Sequence, residues 1–167
     1  MTSGSGSGPA ALDPQISPLA FLLGRWAGEG EGEYPTIEPF GYGEEVTFSH
    51  VGKPYLAYAQ RSWSLDDGRP LHAETGYWRC PSPGRVELVV AHPNGLVEVS
   101  EGALNGSSIM LASTSVRSTS SAKDVSQIER VVEVDRDRLT YTLDMAAVGV
   151  STGRHLQASL RRVSSAN

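Results

Sequence analysis

The chain has 167 residues, 39% of them hydrophobic and 20% charged, a size and balance that suit one globular domain and leave little for a second. Nineteen acidic residues against fourteen basic ones give a formal charge of −5, which argues against a general nucleic-acid binder, whose basic face must neutralise phosphates. No apolar run exceeds the five residues Leu19 to Leu23, far below the roughly 20 needed to span a bilayer and too few for a signal-peptide core, so a soluble cytoplasmic protein is expected.

Residues 1–11 begin with a Gly/Ser-rich stretch that has nothing to bury and is expected to be disordered, leaving 12–167 as a single domain. From Ser17 to Gly24 the order Ser, Pro, apolar run, Gly predicts a short N-terminal helix, with Ser17 as N-cap, Pro18 in the first turn and Gly24 ending it. So short a helix cannot stand alone, and its leucines and Phe21 are expected to lie against a larger body, closing one end of it. The next segment carries Gly24, Trp26, Gly28, Gly30 and Gly32 in alternation, ending at Tyr34 and Pro35. It reads as a strand with close backbone contacts, and Trp26 suits a plug at a barrel end. It is a poor phosphate loop, because Glu29, Glu31 and Glu33 would repel the ligand and no helix follows.

From Tyr42 onward, short runs of period-two alternation are separated by turn residues, the pattern of an antiparallel all-β domain. The runs fall near 43–51, 54–65, 71–80, 85–92, 96–103, 108–116, 126–135, 139–147 and 154–163. Asp67-Gly68, Asn94-Gly95 and Asn105-Gly106 lie between runs and predict hairpins. The polar stretch Ser113 to Ser121 is expected to pass into a flexible loop. One apolar parity recurs, as in Val86, Leu88 and Val90, or Ile128, Val132 and Val134, or Leu139, Tyr141, Leu143 and Met145. With a strand at Trp26 the count reaches ten, which closes most economically into an up-and-down barrel with room for a small ligand. A β-sandwich is the alternative.

The chemistry-bearing residues are few. A single cysteine, Cys80, excludes an internal disulfide, a Cys-x-x-Cys zinc site and a c-type haem attachment. Lys53 and Lys123 are the only lysines. Of the histidines, His50 lies on a strand without metal-ligand spacing, His72 and His92 sit at strand ends, and His155 opens the last strand. Strand ends at a barrel mouth are where a ligand to a bound cofactor would be placed, although a lone histidine is ordinarily structural or exposed. Glu44 and Glu45 point to opposite faces and make a poor catalytic pair. No Gly-x-Ser-x-Gly turn supports a nucleophile.

The glycine segment with Trp26, Tyr34-Pro35-Thr36-Ile37, Pro39-Phe40 and Glu44-Glu45, together with His50 to Pro54, Leu71 to Arg79, Gly95 to Val99 and the closing His155 to Arg162, resembles the nitrobindin family of haem-binding β-barrel proteins. The resemblance implies a ten-stranded antiparallel barrel, lipocalin- and fatty-acid-binding-protein-like, with one haem b per chain at an open end. It maps the proximal iron ligand onto His155 and a haem contact onto Thr36. Lys123 is a candidate propionate partner, Leu71 and Met145 match cavity-lining positions, and His72 and His92 are candidate distal groups. It further implies ferric iron that binds nitric oxide and isomerises peroxynitrite to nitrate, with no membrane or nucleic-acid partner, in a monomer or weak homodimer. The alternatives are a nitric oxide carrier or sensor and a lipocalin-like binder of an apolar metabolite. One feature sits awkwardly: His155 shares parity with Gln157 and Ser159, not with the apolar Leu156, Ala158 and Leu160. Either the inner face is polar there or a bulge near Gly153 turns His155 inward.

Overall fold

The computed structural model describes residues 10–34, 37–147 and 149–164. The disorder expected for residues 1–9 and the haem contact expected at Thr36 lie outside the described residues. Ten strands follow a short helix: β1 (Gly24–Tyr34), β2 (Ile37–Ser49), β3 (Leu56–Ser64), β4 (Pro70–Arg79), β5 (Arg85–Ala91), β6 (Leu96–Asn105), β7 (Ser108–Ser118), β8 (Val125–Asp135), β9 (Arg138–Ala147) and β10 (Gly153–Ser164). Each pairs antiparallel with its sequence neighbours, and β1 pairs with β10, so the sheet closes into a barrel and the sandwich alternative falls. The alternation read from the sequence is the inward face. Val86, Leu88 and Val90 on β5, and Val132 and Val134 on β8, are buried. Among the described residues no helix is long and apolar enough to cross a membrane.

Three details depart from the sequence reading. The helix Ser17–Leu22 is a 3-10 helix, and Ser17 does not cap it; its hydroxyl donates to the Pro14 carbonyl instead. A three-residue repeat explains the choice, because side chains three apart eclipse in a 3-10 helix. Ile16, Leu19 and Leu22 thus form one ridge, fully buried in the core. Secondly, β2 begins at Ile37, since its ladder with β1 continues from Phe48 opposite Gly24 to Ile37 opposite Tyr34. Thirdly, most of the polar Ser113–Ser121 stretch is strand: β7 stays paired with β6 as far as Ser118 opposite Leu96. Backbone pairing needs no apolar side chain. The ladder between β7 and β8, however, runs only from Ser108–Glu133 to Ala112–Glu129, so the upper half of β7 parts from β8.

Up-and-down connectivity gives the barrel two unlike ends. The helix and Trp26 plug one of them. Trp26 is fully buried, its indole N–H donates to the Leu22 carbonyl at 2.7 Å, and the Arg162 guanidinium stacks 4.0 Å from the ring centroid. Arg162 also donates to the carbonyls of Leu23 and Phe21, satisfying the end of the helix. Gly24 leaves that helix at φ 114°, a conformation that favours glycine. At the other end lie the β1–β2, β3–β4, β5–β6, β7–β8 and β9–β10 connections, and no helix covers them among the described residues.

Candidate functional site

The open end gathers the residues that the sequence singled out, because β4 begins there, β5 ends there and β10 starts there. His155 reaches it through a bulge. Arg154 pairs with Asp144 and Leu156 with Leu143, so His155 is the extra residue that β9 does not match. A bulge re-aims a side chain, which resolves the parity conflict: Leu156, Ala158 and Leu160 keep the inward face. The ring makes a hydrogen bond through Nδ1 to the Glu33 carbonyl and meets Tyr34 edge-on at 5.6 Å. A carbonyl only accepts, so Nδ1 carries the proton, and Nε2 holds the free lone pair of a neutral imidazole. Burial pushes the His155 pKa down, against the opposing pull of the Glu33 carbonyl.

Beside it is an apolar patch separate from the main core. Leu96, Val125, Ile128, Leu143 and Ala147 form it, with Tyr34, Met145 and Leu156 packed around. The Lys123 ammonium lies 5.0 Å above the Tyr34 ring, within cation–π range. Leu71 packs instead against the main core. His50 lies near the plugged end, where its Nδ1 accepts the Gly52 amide within a turn.

Below the opening the interior is ionic. Arg130 projects inward from β8 and forks onto two carboxylates, Glu74 of β4 at 3.2 Å through two nitrogens and Glu98 of β6 at 2.7 and 3.3 Å. All three side chains are less than a tenth exposed. Burial alone would raise both carboxylate pKa values, but the Arg130 charge and the hydrogen bonds around them reverse this. Glu98 falls to about 2, and Glu74 lies below the ordinary carboxylate range. Tyr58 donates to Glu74 and Ser100 to Glu98. On the opening side, His72 Nε2 and His92 Nδ1 are 3.1 Å apart, each 3.7 Å from Glu74 Oε1.

Across the barrel, burial raises Glu44 to about 7 even though Tyr141 donates to it at 2.8 Å. Since the Tyr141 proton goes to Glu44, Tyr42 is the donor in the 2.8 Å bond between the two phenols. These polar groups fill the middle of the barrel and leave a cavity of only about 40 Å³ among Glu44, Tyr58, Glu74, Arg130 and Tyr141. That holds a water or two and no acyl chain. The middle of the barrel therefore has no room for a ligand larger than water. The sequence reading missed Glu44, Glu98 and Arg130 as interior groups, although Arg130 stands on the apolar parity between Ile128 and Val132.

Comparison with known proteins agrees with this geometry. A family model described as the THAP4-like, heme-binding beta-barrel domain matches residues 15–162. A relative from Mycobacterium marinum, named peroxynitrite isomerase 2, is 52% identical over 160 residues, spanning 93% of this chain and 99% of its own. A peroxynitrite isomerase from Nocardia farcinica is 49% identical, covering 91% and 93%. The crystal structure of Rv2717c from M. tuberculosis superposes with a TM-score of 0.87 at 46% identity, covering 92% of this chain and all of the other. The chain belongs to the family of THAP4-like, heme-binding β-barrel domains, and with it to the nitrobindin family that its glycine and histidine motifs resemble.

Proposed function

We propose that this protein is a haem-dependent peroxynitrite isomerase with His155 as the proximal ligand. The observation that carries the assignment is the bulged His155, neutral, with its Nδ1 proton on the Glu33 carbonyl and its Nε2 lone pair free beside an apolar patch. The donor set fits the group. Haem iron takes a neutral imidazole whose other nitrogen is hydrogen-bonded, and the macrocycle faces require dry, apolar walls. Glu33 fixes the tautomer and keeps the free nitrogen basic, while Leu96, Val125, Ile128 and Leu143 exclude water. Lys123, with Thr36, is the candidate partner for the propionates, and Met145 lines the wall. His72, on β4, and His92, just past β5, stand at the same end, four and five strands round the barrel from β10.

Ferric haem held there by His155 would supply Lewis-acid chemistry for converting peroxynitrite to nitrate, with no net redox change. The chain itself needs no acid, base or external reductant for that reaction. The same haem would take nitric oxide as a second ligand. Cytoplasmic residence and a monomeric or weakly dimeric state complete the proposal, supported by a lone, buried, unpaired cysteine suited to a reducing compartment. The lipocalin-like alternative would have to place an apolar metabolite at the same open end, since the middle of the barrel has no room for one.

The test is the visible spectrum of haem-reconstituted protein beside His155→Ala, with nitrate yield per haem during peroxynitrite decay. A histidine-ligated Soret band that the variant loses, with nitrate formed catalytically only by the wild type, is the expected result. Equal spectra and equal yields would overturn the assignment.

A further inference from the structure

We infer that His72, Glu74 and His92 form a second, non-haem site for a divalent first-row transition ion, at the open end where β4 begins and β5 has just ended, four and five strands round the barrel from the β10 that carries His155. The three ligand atoms, His72 Nε2, His92 Nδ1 and Glu74 Oε1, are separated by 3.1, 3.7 and 3.7 Å. Such a triangle lies on a circle of radius about 2.0 Å, so an ion in or just out of its plane would sit at zinc–nitrogen and zinc–oxygen distances from all three. Two imidazoles and one carboxylate, with the remaining positions open, suit Zn²⁺ and its neighbours rather than Ca²⁺ or Mg²⁺.

The surroundings are those of a built site. His92 is almost wholly buried, and its outer nitrogen, Nε2, has no hydrogen bond but lies 3.5 Å from Glu98 Oε2. With Nδ1 on a metal, Nε2 must carry the proton, and Glu98 stands ready to accept it, the carboxylate–histidine–metal arrangement that orients a ligand. Arg130 holds both carboxylates in place from below. That one guanidinium faces two carboxylates, at 3.2 and 2.7 Å. His72 is about one-third exposed, which gives an ion a path from solvent. The facing imidazole nitrogens are 3.1 Å apart, and an ion would take both of their lone pairs.

This inference does not depend on the haem assignment. The experiment is a zinc titration of haem-free and haem-loaded full-length protein against a chromogenic chelator, with circular dichroism of every variant. One Zn²⁺ per chain is expected, weakened at least tenfold by His72→Asn and by His92→Asn, and about 10- to 100-fold by Glu98→Gln, which acts through His92 and through the Arg130 that also holds Glu74. Zinc affinity in His50→Asn and His155→Ala should equal that of the wild type. Absent stoichiometric binding, binding that survives both His72→Asn and His92→Asn, or binding lost in His155→Ala would each overturn it. Should a variant fail to fold, cobalt added to the wild type decides: strong visible d–d bands of a low-coordinate ion support the site, and the weak band of aqueous cobalt refutes it.

Discussion

Replacing Arg130 by methionine removes the one cation that Glu74 and Glu98 share, while roughly keeping volume. Four hydrogen bonds go with it, and two buried carboxylates are left facing each other. Breaking a buried pair in this way typically destabilises by about 3–5 kcal/mol at neutral pH. The folded protein can limit the loss by taking up a proton on Glu74 or on Glu98. Either way the variant's native state binds more protons than the wild type's. Each extra proton lowers stability by about 1.4 kcal/mol per pH unit as pH rises above the unfolded pKa of the group that holds it. The variant's deficit should therefore grow between pH 5.5 and pH 7.5, by about 2–3 kcal/mol for a single proton held on a carboxylate. Urea unfolding followed by tryptophan fluorescence at several pH values measures it, provided the slope with denaturant is unchanged. The triple replacement Glu74→Gln, Glu98→Gln, Arg130→Met should recover most of the loss, since it leaves no uncompensated charge. A pH-independent deficit, or one under 0.5 kcal/mol at pH 7.5 where roughly 3 or more is expected, would refute the reasoning.

Glu44→Gln should stabilise the protein in alkali and not in acid. The folded pKa of Glu44, near 7, stands above its unfolded value, so the wild type loses stability as pH rises from about 4.5 to 7; the variant should gain on the order of 3 kcal/mol at pH 8 relative to pH 4 in urea titrations. Glu98 works in the opposite sense: its stabilisation is complete above the unfolded pKa and is lost as pH falls through about 2, which acid unfolding of Glu98→Gln beside the wild type will show as a flatter curve. In Gly30→Ala the new methyl would sit 2.4 Å from the Tyr42 ring, so the Tyr42–Tyr141 bond must give; a loss of about 1–3 kcal/mol in thermal melts is expected. Trp26→Phe orphans the Leu22 carbonyl and leaves a smaller, weaker ring beneath Arg162, for about 1–3 kcal/mol, and leaves the haem spectrum as it was because the plug is at the far end.

Strands were legible because each has one wet and one dry face, and that alternation is written residue by residue, as in Val86, Leu88 and Val90. The hairpin at Asn105-Gly106 carried its own marker, with Gly106 at φ 61°. The turn between β8 and β9 did not: Arg136 takes φ 54° there without glycine or asparagine, held by the ladder on both sides. His155 could be named from motif, and its clash of parity pointed either to a polar inner face or to a bulge near Gly153; only the pairing of β10 with β9 decides for the bulge. The ionic middle of the barrel was hidden for another reason. A charged residue on an apolar parity, such as Arg130, looks like a break in the pattern until its partners on β4 and β6 are brought within 3 to 4 Å. Parity tells which side a residue faces, never which strand faces it.

The parting of β7 from β8 above Ala112 has a mechanical consequence. A hoop laced along its whole height resists widening at every level; this one is laced only at its lower half along that seam. The rim can flex there while the middle, tied by Arg130, keeps its girth, and the segment that carries Lys123 bridges the gap. Backbone amides of β7 that point toward β8 between Ser113 and Ser118 should exchange with deuterium well before those lower in the same strand. A flat guest as wide as the opening would then be admitted by local yielding of the rim, with no need for the barrel to unfold.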